Sequence, residues 1–259
     1  MALRLNNKVA IVTGGGGGIG GAVGELFCSE GSSVLLVDRN QEALTQTVAR
    51  IRERVKNARI ETFVCDISNY DETACAVSLA VQRFGGLNVI VNNAAIRNVA
   101  AVENTERKSW DDLIAVNLLG AVNFCKAGLT ELRKEGRGSI INVSSVYGVM
   151  ARKHWGIYDA TKAALISLTR TLAVEEAENG VRANAISVAS TLTPYTVERA
   201  QATRNMSEQD LMREAKDSNL LRRWAKPMEI AYPILWLASD EASFITGTNL
   251  MVDAGRSII

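Results

Sequence analysis

The chain has 259 residues, 47% hydrophobic and 22% charged, with 29 Lys+Arg against 28 Asp+Glu. That length suits a single α/β domain with an ample core, and the near-zero net charge removes the basic footprint of a nucleic-acid or anionic-membrane binder. The first residues, MALRLNNKVAIVTGG, show no apolar signal core with a cleavage site, and no run of 18 apolar residues follows; the expectation is a soluble, cytoplasmic protein with neither a membrane nor a nucleic-acid partner.

In chain order, a strand at 9–13 precedes a glycine-rich turn and a helix at 20–30. Then come a strand at 33–38, a helix at 41–57, a strand at 60–66, a helix at 71–84 and a strand at 87–92. A long helix within 106–134, a strand at 139–144, a helix within 156–179 and a strand at 182–187 continue the alternation. In the helix at 41–57, Leu44, Val48, Ile51 and Val55 recur at helical spacing among Arg50, Arg52, Arg54 and Lys56, the pattern of a cover helix with a solvated basic face. Beyond Pro194 the pattern turns polar over 195–218, which reads as a mobile helical lid within about 189–220, before a helix at 227–240 and a buried strand at 249–253. Strands alternating with helices predict one α/β domain over 1–259: a single Rossmann-like, doubly wound parallel sheet with helices on both faces. Cys28, Cys65, Cys75 and Cys125 lie in apolar runs that read as core, and with His154 as the one histidine no metal site is expected.

The strand at 9–13 feeds Gly14–Gly18, Ile19 and Gly20, and glycines there let a backbone approach a pyrophosphate at a helix N-terminus. Spacing alone leaves the register open between Gly15/Gly17/Gly20 and Gly16/Gly18/Gly21. Asp38, about 20 residues on at the end of the second strand, is placed to accept hydrogen bonds from an adenosine ribose and to repel a 2′-phosphate, which points to NAD; the alternative role is an N-cap of the next helix. Arg39 beside it would partly offset that repulsion. Tyr158 and Lys162 stand one helical turn apart, and an ammonium beside a phenol favours the phenolate, so the pair can move a proton near neutral pH. Ser144 and Ser145 close an apolar strand, where an open parallel sheet presents ligand contacts; each could steady a substrate oxygen or cap a turn.

These motifs, in this order and over essentially the whole chain, resemble the short-chain dehydrogenase/reductase family. The resemblance sets TGxxxGxG on Thr13–Gly20, which selects Gly14, Gly18 and Gly20 and brings Ile19 with them to the cofactor. It implies that Asp66 and Ile67 meet adenine, that Asn92, Asn93 and Ala94 stand for NNAG, and that Thr193 also contacts cofactor. It implies a tetrad of Asn117, Ser145, Tyr158 and Lys162, with Ser145 chosen over Ser144 because it lies 13 residues before Tyr158. Tyr158 would exchange the proton, Ser145 hold the substrate oxygen, Lys162 bind the nicotinamide ribose and lower the Tyr158 pKa, and Asn117 hold a relay water. Two departures stand out: Val188-Ala189 where the family has Pro-Gly, and Asn-Asn-Ala-Ala for NNAG. They predict an active enzyme with an altered nicotinamide pocket.

Arg97, Arg152, His154 and Trp155, with Ser145, are candidate substrate contacts, and cations beside an aromatic suit a small polar substrate: a sugar, sugar acid, sulfonated sugar or cyclic diol. The implied activity is NAD-dependent oxidation of a secondary or hemiacetal hydroxyl, in a homotetramer. Two alternatives are a ketoreductase resembling 3-oxoacyl-carrier-protein reductases, needing a basic patch near Arg133, Lys134 and Arg137, and a non-catalytic NAD-binding regulatory protein.

Overall fold

The computed structural model describes residues 3–259, the side chain of Lys216 excepted. Seven parallel strands run in the order β3-β2-β1-β4-β5-β6-β7: β1 Val9–Thr13, β2 Ser33–Asp38, β3 Ile60–Val64, β4 Val89–Asn92, β5 Ser139–Ser145, β6 Arg182–Val188 and β7 Asn249–Val252. The inner strands are apolar without alternation because each is covered twice. Within β1, Ala10 and Val12 join one core with Phe27, Leu44, Ile51 and Ile234, while Val9 and Ile11 join the other with Val77, Phe124, Leu132 and Leu172. The first face carries helices α1 Gly18–Ser29, α2 Gln41–Arg54 and, late in the chain, Pro227–Ala238; the second carries α3 Tyr70–Phe84, the helical run 107–133 and Gly156–Glu176.

The run 107–133 is one continuous helix of three parts: α4 Arg107–Ile114, a π-helical segment Ala115–Leu119 and α5 Gly120–Arg133. By length and apolar composition alone it matches a bilayer-crossing helix; here it packs on β4, α3 and the helix Gly156–Glu176, which is α6. Gly120 stands at its junction, where a Cβ would meet the Ile67 side chain within 2.7 Å and force it to shift.

Three local differences from the sequence-based expectations have plain causes. The third strand stops at Val64, not 66, because the Asp66 carboxylate turns back to accept from the Ser68 N–H (2.9 Å) and hydroxyl (2.7 Å). The sixth strand runs on through Val188, paired with Ser145 and Val252, since a valine keeps the N–H that a proline lacks. Cys75 is exposed, not core: the inward face of α3 is Thr73, Ala76, Val77 and Ala80, and position 75 falls outside that stripe.

The polar stretch folds into α7 Pro194–Arg204 and α8 Glu208–Glu214, and α9 Pro227–Ala238 follows. Thr193 caps α7 by accepting from the Thr196 N–H, with Pro194 in the first turn, and Asn205 in the left-handed region (φ +51°) ends it. Ser207 and Asp210 form a capping box on α8. The excursion is pinned at its base, where Ala225 donates to the Ser190 carbonyl (3.0 Å) and Leu192 to that of Ala225 (2.9 Å).

Candidate active site

The strand order reverses between β1 and β4, and the crevice over their C-terminal ends is where an open α/β sheet takes its ligand. Gly14 and Gly18 lie in the left-handed region (φ +67° and +55°). A Cβ on Gly20 would overlap the Gly14 carbonyl and come within 2.8 Å of Asn93 Nδ2. Gly15 and Gly16 are crowded as well, by Leu36 (2.7 Å) and Ala43 (2.9 Å), so what sets Gly14 and Gly18 apart is their left-handed backbone and what sets Gly20 apart is its closeness to the Gly14 carbonyl. The N-terminus of α1 has no side-chain cap and no acidic residue in its first turn, and a Cβ on Gly17 would meet nothing. Free N–H groups facing open space suit a pyrophosphate. Ile19 follows on the same turn and lines the main cavity, while Thr193 sits over Gly18, its Cγ2 3.1 Å from where a Cβ would be.

Asp38 accepts from the Gly16 N–H (3.0 Å) and the Asn40 N–H (3.0 Å), tying β2 to the glycine loop. The cap of α2 is Asn40, not Asp38: its side chain accepts from Ala43 N–H at 3.1 Å. The segment after β4 is built on Thr13, whose hydroxyl oxygen accepts from the N–H of Asn93 (2.9 Å) and of Ala94 (3.0 Å). Asn93 donates in turn to the Thr13 carbonyl (2.9 Å), and Asn92 is buried, donating to Asn142 (2.9 Å). Asp66 is exposed and held below the usual carboxylate range by its Ser68 bonds, and the Ile67 side chain is spent against Gly120.

Tyr158 and Lys162 are both buried on α6. Burial alone would raise the Tyr158 phenol, but Lys162, then Arg97 and Arg152, pull it below its ordinary value. The Lys162 ammonium stands 5.8 Å from the ring centre and is itself lowered, chiefly by burial. It donates to the Val143 carbonyl (2.8 Å), leaving two of its three N–H groups for ribose hydroxyls. The two serines part company: the Ser144 hydroxyl donates to the Lys162 carbonyl (2.7 Å) and braces α6, while Ser145 lines the cavity beside Tyr158. Asn117 sits in the π segment, where its amide accepts from Ile96 N–H (2.8 Å) and donates to the Ile96 carbonyl (3.0 Å) and Thr161 Oγ1 (3.2 Å). Its side chain clamps the loop after β4.

The cavity that Ser145 and Tyr158 share measures about 800 Å3. Arg97, Arg152 and Trp155 line it. His154 does not: it is exposed, with φ +68° that turns it out of the approach to α6. Arg152 lies between Tyr147 and Trp155 (3.7 and 3.8 Å from the ring centres) and is ion-paired with Asp159 at 2.8 Å. Sequence reasoning missed Thr196, Arg199, Thr203, Arg204 and Glu214, which α7 and α8 bring to the cavity, and Trp224 beyond them. The signal was present as a polar i, i+3, i+7 stripe at 196, 199 and 203, whereas the spacing sought was apolar. Of the basic residues Arg133, Lys134 and Arg137, the first two are paired, Arg133 with Glu176 (2.6 Å) and Lys134 with Glu131 (2.7 Å), while Arg137 is exposed with no ion pair among the described residues.

Residues 14–257 match the model of a family described as enoyl-(acyl carrier protein) reductase. The chain is 36% identical over 259 residues to the 2,5-dichloro-2,5-cyclohexadiene-1,4-diol dehydrogenase LinX of Sphingobium indicum, covering 100% of this chain and 99% of that one. It is 34% identical over 260 residues to a 3-oxoacyl-(acyl-carrier-protein) reductase of Thermotoga maritima, covering 99% and 100%. Among solved structures, L-sorbose reductase from Gluconobacter frateurii, complexed with NADPH and L-sorbose, is similar with TM-score 0.93 and 27% identity, covering 100% of both chains.

Proposed function

The chain belongs to the short-chain dehydrogenase/reductase family, and we propose that it is an NAD-dependent dehydrogenase of a secondary or hemiacetal hydroxyl on a small polar substrate: a sugar, sugar acid, sulfonated sugar or cyclic diol. The observation that carries this is the buried Tyr158, backed by Lys162, lining with Ser145 a cavity of four arginines, with Glu214 as the one carboxylate among its described lining residues. The lining is mixed, with Ile19, Val99, Val188, Trp155 and Trp224 among it, but its four arginines and row of hydroxyls favour a hydrated substrate over an acyl chain. The Asp38 carboxylate beside the glycine loop supports NAD over NADP.

Bound NAD would supply the hydride acceptor, held by the α1 N-terminus, Asp38 and Lys162. The substrate hydroxyl lies between Ser145 Oγ and the Tyr158 phenol. Tyr158 takes its proton, because Lys162, Arg97 and Arg152 outweigh burial and bring the phenol below its ordinary value, which favours the phenolate. Ser145, fixed at the end of β5 with its oxygen accepting the Tyr147 N–H (3.2 Å), keeps its hydroxyl hydrogen free to bond the substrate oxygen. Lys162 steadies the phenolate, and the Ser144 bond to its carbonyl fixes the helix turn that carries both. Asn117 holds the loop that forms the cavity's near wall. A homotetramer is part of this proposal; Val174 and Phe244, apolar and 79% and 102% exposed, are surfaces for subunits to cover.

The test follows NADH absorbance across polyols, aldoses, sugar acids and cyclic diols, with NADP in parallel. Tyr158→Phe should cut kcat at least about a hundredfold, the lower end of what a positioned proton acceptor contributes, with NAD binding kept. Calorimetric NAD binding with no turnover of any alcohol would instead establish the regulatory alternative.

A further inference from the structure

We propose that Arg97, from the loop after β4, and Arg199, from the lid helix α7, are the two arms of a receptor for an oxyanion carried by the substrate. The inference rests on the cavity being the substrate site, and narrows the polar substrate to a negatively charged one.

Four guanidinium groups line the cavity, and two are already committed. Arg152 is paired with Asp159 (2.8 Å), and Arg204 with Glu214 (3.0 Å). Arg97 and Arg199 have no carboxylate within ion-pair distance among the described residues; both are held only against aromatic faces. Arg97 lies 5.7 Å from the centre of the Tyr195 ring and 5.9 Å from that of Tyr158, and Arg199 lies 5.4 Å from that of Trp155. Tyr195 and Arg199 are four residues apart on α7, hence on one face, so the loop arginine meets the lid a single turn from the lid arginine. An arginine resting on aromatic rings keeps its N–H edge free, which is the edge that bonds a carboxylate, phosphate or sulfonate.

Two uncompensated cations facing one space repel each other until an anion lies between them, so the arrangement disfavours a neutral occupant and rewards a charged one. The lid also lacks the large apolar side chains that would cover an apolar substrate: its cavity stripe is Thr196, Arg199, Ala200 and Thr203. Because Arg97 also faces the Tyr158 ring, the receptor sets how far the anionic group lies from the hydroxyl that reacts.

The experiment is a titration of the NAD-bound protein, at constant ionic strength, with inorganic sulfate, inorganic phosphate, D-glucuronate and D-glucose, read by tryptophan fluorescence, since Trp155 and Trp224 line the cavity. The expected result is a saturable change with at least one of the three anions and a markedly weaker one with glucose. Arg97→Gln and Arg199→Gln should each weaken anion binding about tenfold or more, the loss of a charged hydrogen bond. Arg97→Lys and Arg199→Lys should restore part of it, and Arg204→Gln should change it less than either. Equal response to glucose and glucuronate, no saturable change with any anion, or Gln variants that titrate like the parent with unchanged melting curves would each overturn the receptor. None of these depends on turnover, so a dehydrogenase screen that fails condemns the oxidoreductase reading separately.

Discussion

Replacing Asn117 by Ala separates two jobs that one residue can hold. The side chain is 2% exposed and makes three hydrogen bonds, two to the main chain of Ile96 (2.8 and 3.0 Å) and one to Thr161 (3.2 Å). At about 1 kcal/mol net for each bond lost, the variant should be less stable by about 3 kcal/mol. A chain of 259 residues unfolds with roughly 0.5 kcal/mol of entropy per degree, so Tm should fall by about 6 °C. Asn117→Asp should do no better, since it keeps an acceptor for the Ile96 N–H but turns a second oxygen on the Ile96 carbonyl. The residue after Ile96 is Arg97, so kcat/KM should fall along with Tm as the loop loses its clamp. Calorimetry and initial rates on the same samples decide it. A variant that melts within about 1 °C of the parent yet has lost turnover would show that the amide acts only in the chemistry, and the clamp would be wrong.

Gly20→Ala should weaken NAD at least about tenfold by calorimetry while circular dichroism stays native, because its Cβ overlaps the Gly14 carbonyl and only the phosphate loop can yield; an unchanged Kd would refute the crowding. Asp38→Asn keeps the shape that accepts the Gly16 and Asn40 N–H groups but removes the charge, so the NADP-to-NAD ratio of kcat/KM should rise about tenfold or more, the scale of one charged contact; a constant ratio would mean that the carboxylate does not discriminate. The pH dependence follows from Tyr158, which must be ionised to accept a proton. Burial pushes its pKa up, and Lys162, Arg97 and Arg152 together bring it below the ordinary phenol value. Alcohol oxidation should therefore fall as pH drops through that lowered pKa, and Arg97→Gln, which removes one of the cations, should move the acidic limb to higher pH. A limb that stays in place, or moves down, would refute the assignment of Tyr158 as the proton acceptor.

What could be read from the chain alone was whatever repeats. The strands at 9–13 and 33–38 were legible to the residue because both faces of each are buried and every position but the edge at Asp38 is lined by core. The breaks in pattern were legible only as departures. The π segment at Ala115–Leu119 adds a residue to a turn without disturbing an apolar face, so the run 106–134 looked like an ordinary helix. Ser144 and Ser145 were separable by resemblance but not by chemistry; the structure supplies a reason, since alternate residues of a strand face opposite ways and the Ser144 hydroxyl reaches the Lys162 carbonyl.

The cationic cavity shows the deeper limit. Arg152 stands beside Trp155 and Tyr158 in sequence and looked available for substrate, yet Asp159, one residue beyond Tyr158, takes its charge. Arg199, over forty residues away in a polar stretch with no apolar period, has no carboxylate partner among the described residues and faces Trp155. Proximity in the chain favours pairing, because residues a few turns apart on neighbouring segments find each other cheaply. The charges left free for a ligand are therefore those whose neighbours in sequence do not match them, and they come together only when separate segments fold against each other. On the proposed receptor, anion binding would also be coupled to the position of α7, because Arg97 lies 5.7 Å from the ring centre of Tyr195 on the helix that carries Arg199.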